Sequence, residues 1–267
     1  MVIATSLKMY FDHKETVRWA REVRDIARRS QQVQAGNVNL LVFPSFPSIS
    51  TLVDLFSDAR VSVGAQNMAA CDRGAYTGEV NVHTLKQVGC THIEIGHAER
   101  RKYFGETMET MQNKVSLALE NNLVPLICVG ENEQDEPARS AAICIDFIKE
   151  VTERVPSNNQ IEPIFAYEPE WAIGADQPAA TDYVRSVAST IRAWLCDRPG
   201  LANSKIIYGG GAGPGLLDAL GETVNGLFLG RFAHDPAALE QILSELDFSV
   251  ETGTPSVSAA NSVRKKE

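Results

Sequence analysis

Ile93-Glu94-Ile95-Gly96-His97-Ala98-Glu99-Arg100-Arg101 is a short apolar run that breaks at a glycine and a histidine. The pattern returns in Ala166-Tyr167-Glu168-Pro169-Glu170-Trp171-Ala172-Ile173-Gly174, where the break is a glutamate followed at once by proline and then by glycine. Runs this short, closed by turn residues, read as strands buried on both faces. Working outward, the set is Val2–Thr5, Leu40–Phe43, Val61–Val63, His92–Ile95, Val124–Val129, Pro163–Ala166, Lys205–Tyr208 and Gly226–Leu229. Amphipathic helical patterns lie between most of them. Trp19, Val23 and Ile26 share a face before the second run, Ala141, Ile145 and Ile148 before the sixth, and Val184, Val187 and Ile191 before the seventh. Strand and helix alternating eight times predicts an α/β chain closed into a single (β/α)8 barrel over residues 1–247. Residues 248–267, which turn to Gly, Pro, Ser, Ala, Asn and Lys, read as a flexible C-terminal tail. An open doubly wound sheet is the alternative, but no GxGxxG follows the first run.

Composition narrows the function. The chain has 267 residues, 44% hydrophobic and 22% charged, enough for one large core. A net charge of −9 with no basic stripe before the last residues argues against nucleic acid, and an anionic substrate must be drawn in by local groups. No charged leader and no long apolar run is present, so neither a signal peptide nor a membrane span is expected. Five cysteines without a CxxC spacing read as free thiols in a cytoplasmic protein. Five scattered histidines form no HxH or HExxH pattern, so neither a metal nor another cofactor is expected.

In such a barrel the chemistry sits just after the strands, on one face. Those positions hold Ser6 and Lys8, Gln66 and Asn67, His97 and Glu99, Glu131, Glu168, Gly209 to Gly211, and Gly230 with Arg231. A lysine, a histidine and a glutamate from three strands therefore converge on one mouth, a set suited to proton transfer and not to metal binding. The glycines after the last two strands suit phosphate held by backbone N–H groups.

Several stretches together closely resemble the triosephosphate isomerase family. They are Ser-Leu-Lys-Met at 6–9, Val-Gly-Ala-Gln-Asn at 63–67, Gly-Ala-Tyr-Thr-Gly-Glu at 74–79, Ile-Gly-His-Ala-Glu-Arg-Arg at 95–101, Phe-Gly-Glu at 104–106, Cys-Val-Gly-Glu at 128–131, the stretch 166–174 and Ile-Tyr-Gly-Gly at 207–210. The resemblance covers about residues 2–245 and implies a TIM barrel that isomerises a small phosphorylated sugar. It implies Glu168 as the general base and His97 as the neutral electrophile at a helix N-terminus. Lys8 becomes the ammonium that holds the anion and the enediolate, with Glu99 as its partner. It implies a closing lid over Pro169–Ala179, with Gly174 gripping phosphate and Tyr208 bonding the closed lid near Ala179. A homodimer is also implied, its loop 66–79 docking beside the partner's site.

The departures from the family pattern fall on recognition. Ser6 stands where asparagine is usual and Ala98 where serine is usual. Glu170 replaces a small apolar residue, Ala175-Asp176-Gln177 replaces Thr-Gly-Lys, Gly211 replaces serine and Arg231 the second glycine of a pair. Lys8, His97 and Glu168 are untouched. Ser6 with the Gly230-Arg231 pair resembles the branch that isomerises erythrulose phosphates, which implies L-erythrulose 1-phosphate as substrate. The alternatives are the glycolytic reaction of dihydroxyacetone phosphate, and a non-catalytic barrel that binds a sugar phosphate. A Schiff-base aldolase fits poorly, since no lysine lies in the sixth strand. Arg231 is expected either on phosphate or paired with a carboxylate, Glu170 on solvent or a basic partner, and Cys128 as inert packing.

Overall fold

The computed structural model describes residues 1–174 and 178–251. Eight parallel strands close on themselves in sequence order: β1 (Val2–Ser6), β2 (Asn39–Phe43), β3 (Val61–Ala65), β4 (His92–Ile95), β5 (Val124–Val129), β6 (Ile164–Tyr167), β7 (Lys205–Tyr208) and β8 (Gly226–Leu229). β1 pairs with both β2 and β8, so no strand edge is left open. The expected strands are all present, three of them one or two residues longer. The sixth begins one residue later than expected, at Ile164 and not at Pro163.

Two apolar layers follow from period-two alternation. One side of each strand fills the barrel, with Val2, Ala4, Leu41, Phe43, Leu126, Cys128, Ile164, Ala166, Ile207 and Phe228 packed as one cluster. The other side, with Ile3, Leu40, Val42, Ile93, Ile95, Phe165 and Ile206, meets the surrounding helices. Trp19, Val23 and Ile26 sit inside the helix His13–Arg29, buried as their spacing predicts. That helix starts with a capping box, in which Asp12 accepts from the Glu15 N–H and Glu15 reaches back to the Asp12 N–H. The faces of Pro137–Val151 and Thr181–Cys196 are buried in the same way. Gly64 packs tightly inside the barrel: a Cβ there would stand 2.3 Å from the Phe43 ring.

The last helix, Pro236–Glu251, runs past the boundary expected at 247. The rest of the expected tail, 252–267, and the lid stretch Ala175-Asp176-Gln177 lie outside the described residues.

Candidate active site

The alternation that fills the barrel also decides what reaches its mouth. Val2 and Ala4 point inward, so Ser6 does too; Ile164 and Ala166 lead to Glu168, Ile207 to Gly209, and Phe228 to Gly230. A cavity of about 720 Å3 opens there, lined by Ser6, Lys8, His97, Glu99, Glu168, Gly174, Gly209, Gly211, Gly230 and Arg231. Tyr10 and Phe232 also line it, which the sequence reading missed. Their signal was weak, since an aromatic residue shortly after a strand has many uses.

Lys8 is held in an unusual backbone conformation, φ +50°. Its carbonyl is gripped from two neighbouring strand ends, by Ser45 Oγ at 3.2 Å and Gln66 Nε2 at 3.0 Å, and Gln66 also donates to the Phe43 carbonyl at 2.8 Å. The side chain is thereby aimed across the mouth, where Nζ meets Glu99 Oε1 at 2.6 Å. Burial works against the ammonium, but the hydrogen bond and charge of Glu99, with Glu168 and Glu94 behind, outweigh it and raise the Lys8 pKa.

His97 caps the helix Ala98–Phe104, and its Nδ1 accepts from the Glu99 N–H at 3.1 Å. That bond uses the Nδ1 lone pair, which leaves Nε2 as the protonated nitrogen. Nε2 faces Glu168 Oε2 at 3.8 Å. Glu168 Oε2 is buried and has no hydrogen-bond partner among the described residues, the condition of a carboxylate oxygen that awaits one. The Glu168 side chain can occupy this place because position 209 is glycine; a Cβ there would stand 2.6 Å from Glu168 Cγ. Beneath it the Cys128 thiol is buried, and burial with the charges of Glu168 and Glu94 pushes its pKa well above the usual value.

Some expected positions behave otherwise. Tyr208 donates its hydroxyl to the Gly210 carbonyl at 2.6 Å, because the chain turns back over the ring after β7. Gly210 is consequently turned from the cavity, while Gly211, at φ +76°, faces it. Glu131, placed at the mouth by its strand-end position, is buried beneath the lid root instead. It accepts there from Tyr167 Oη at 3.2 Å, Trp171 Nε1 at 2.9 Å and Tyr183 Oη at 2.7 Å. Asn67 takes a hydrogen bond from Lys114 at 2.7 Å away from the mouth. Glu170 finds the basic partner expected for it in Arg101. Arg231 is exposed at the rim and has no carboxylate at ion-pair distance among the described residues.

One buried acid was missed altogether. Glu94 faces the barrel interior from the middle of β4, and Ser6 Oγ donates to its Oε2 at 2.8 Å. Burial raises its pKa against the pull of His97 and Ser6, with Glu168 adding to the rise and Lys8 opposing it, to about 7. The available signal was a charged residue inside a four-residue apolar strand. Among the described residues no three His, Cys, Asp or Glu side chains gather into a metal-holding group, and no helix is long and apolar enough to cross a membrane.

The family model for triosephosphate isomerase matches residues 1–246. The L-erythrulose-1-phosphate isomerase of Pectobacterium atrosepticum is 41% identical over 247 residues, covering 92% of this chain and 95% of that protein. That of Brucella abortus is 34% identical, over 91% and 94%. The triosephosphate isomerase of Alkaliphilus metalliredigens is 35% identical, over 80% and 85%.

Proposed function

The chain belongs to the triosephosphate isomerase family and is an isomerase, and on that premise we propose that it converts L-erythrulose 1-phosphate to D-erythrulose 4-phosphate. In this reading Glu168 removes the proton from C3 of the substrate. His97, through Nε2–H, and the Lys8 ammonium stabilise the charge that develops on the C2 oxygen. The product is an enediolate over C2 and C3. The O3 proton passes to O2 by way of His97 Nε2, and Glu168 returns its proton to C2, which leaves the carbonyl at C3. One proton moves between carbons and one between oxygens, and no redox partner is consumed. Glu99 holds Lys8 in place, and Ser6 faces the reacting end. Gly174, Gly209 to Gly211, Gly230 and Arg231 serve the phosphate end, with Gly210 acting through the turn it makes against Tyr208.

The observation that carries the reading is the unpartnered Glu168 Oε2, facing His97 Nε2 at 3.8 Å in a buried mouth. A barrel that only bound sugar phosphate would gain nothing from leaving that oxygen without a donor. For the four-carbon substrate the support is the names of the relatives at 41% and 34% identity. The same reading makes the protein a homodimer of the cytoplasm, where its five free thiols would stay reduced.

The test is an NMR panel in deuterated water with L-erythrulose 1-phosphate and dihydroxyacetone phosphate. The tetrulose should be turned over with deuterium incorporated at carbon, and with kcat/KM at least about tenfold above the triose. A preference for the triose by orders of magnitude would make the chain a glycolytic enzyme. Absence of carbon-bound exchange with either substrate would reject the base assignment.

A further inference from the structure

Beneath the mouth lies a carboxyl group that the reaction above leaves without a task. Glu94 is only 3% exposed, and its Oε2 accepts the Ser6 hydroxyl at 2.8 Å. Ser6 is also part of the cavity wall. Its oxygen therefore stands between Glu94 and the space that substrate would fill. A serine hydroxyl carries one proton and two lone pairs. Once the proton is committed to Glu94, only lone pairs remain for the mouth. We propose that Glu94 is a positioning residue that, through Ser6, turns this wall into a hydrogen-bond acceptor and so selects substrates presenting a hydroxyl group beside Lys8. The proposal rests on the isomerase reading and deepens it: a tetrulose phosphate carries one hydroxymethyl group more than a triose phosphate, and the acceptor would read hydroxyl groups at that end.

The arrangement is tunable. His97 follows β4 itself, Ser6 and Lys8 come from β1, Cys128 from β5 and Glu168 from β6, and these are the titratable and polar groups that face Glu94. Burial is the largest influence on Glu94, and the balance leaves its pKa at about 7. Above that pH the carboxylate takes the Ser6 proton. Below it the protonated carboxyl can donate to Ser6 Oγ, and the serine proton is free to turn toward the mouth. The wall then stops being an acceptor only.

Erythritol 4-phosphate, which carries the hydroxyl groups but no carbonyl to isomerise, is a suitable probe, with butyl phosphate as the analogue lacking hydroxyls. Binding to the full chain would be measured by titration calorimetry at about pH 6 and about pH 8.5, on either side of the Glu94 transition. Glu94→Gln should weaken erythritol 4-phosphate about five- to tenfold at the higher pH and change it little at the lower, the size of one hydrogen bond. Butyl phosphate should be unaffected at both. On a Ser6→Ala background, Glu94→Gln should have no further effect. The proposal is overturned if Glu94→Gln binds erythritol 4-phosphate like the parent at both pH values, or if butyl phosphate loses as much, which would mark Glu94 as structural support. Should Glu94→Gln fail to fold, Ser6→Ala carries the comparison: the phosphate itself titrates near about pH 6 in both probes, so loss of the extra pH step that erythritol 4-phosphate shows over butyl phosphate supports the proposal, and its retention overturns it. Turnover of L-erythrulose 1-phosphate by the parent is scored separately, so a failed isomerase reading is seen apart from a failed Ser6–Glu94 pair.

Discussion

A hydrogen atom at position 209 decides where the Glu168 carboxylate stands. A Cβ there would come within 2.6 Å of Glu168 Cγ and 2.7 Å of Oε1, so Gly209→Ala must push the carboxylate off its line to His97. We expect kcat to fall at least about tenfold while the protein stays folded, because a misplacement of about 1 Å at a reacting group is costly. Glu168→Asp, one methylene shorter, should lower kcat about a hundredfold with KM little changed. Normal turnover in either variant would remove Glu168 from the role of base. Glu94 leaves a different mark. Its pKa in the fold, about 7, lies above the ordinary 4.5, so the native state holds that proton more tightly than the unfolded chain. Stability should therefore decline as pH rises from 4.5 to about 7, by roughly 3 kcal/mol in all. His92, buried and depressed to about 4, works oppositely and loses stability as pH falls below its ordinary 6.5. Melting curves should show Glu94→Gln gaining several degrees over the parent at about pH 8 and little at about pH 4.5; an equal shift at both would refute the assignment of the buried charge.

The elements place these side chains by holding strand ends still. The turn after β1 holds Lys8 at φ +50°, where Ser45 and Gln66, from the ends of two other strands, tie its carbonyl. At the lid root the short turn Glu170–Ala172 is tied to Glu131 after β5 through Trp171, and Tyr183 brings the helix Thr181–Cys196 to the same oxygen. Three donors share Glu131 Oε1, so Glu131→Ala should strand Tyr167 and Trp171, while Tyr183 keeps the Ser140 hydroxyl at 2.7 Å. Buried donors left without an acceptor cost about 1–3 kcal/mol each. We expect a fall in Tm of at least about 5 °C and a red shift in Trp171 emission as its indole gains water. Unchanged melting and emission would mean that the lid root is anchored elsewhere.

At the scale of the molecule, the closed barrel still presents large apolar side chains to water. Met9 is 92% exposed, Phe104 69%, Tyr103 67%, Tyr10 57% and Tyr76 55%. In the loop 66–79, Met68 and Ala69 are packed inside the protomer, and Tyr76 is the large apolar side chain left outside. Side chains of this size in water are the material of an interface. Sedimentation should find a dimer or larger assembly at micromolar concentration. A stable, fully active monomer would refute the homodimer.

The sequence alone was enough for the barrel and for bringing Lys8, His97 and Glu168 to one mouth. Strands covered on both faces must be apolar throughout, and helices that cover them must be apolar on one face, so both leave a local signature at Ile93–Ile95, Ala166–Tyr167 and Trp19–Ile26. Lys8, His97 and Glu168 were legible because each interrupts or follows such a run. What closure brought together was not. Ser6 and Glu94 lie 88 positions apart along the chain, and each alone reads as an ordinary strand residue. Glu131 was assigned to the mouth by its strand end, yet three donors from later segments draw it under the lid. The Tyr208 hydroxyl finds the Gly210 carbonyl through the turn after β7, a partner the local pattern does not name. Local pattern records what each segment must bury, whereas the partner of a buried polar group is chosen only when distant segments meet.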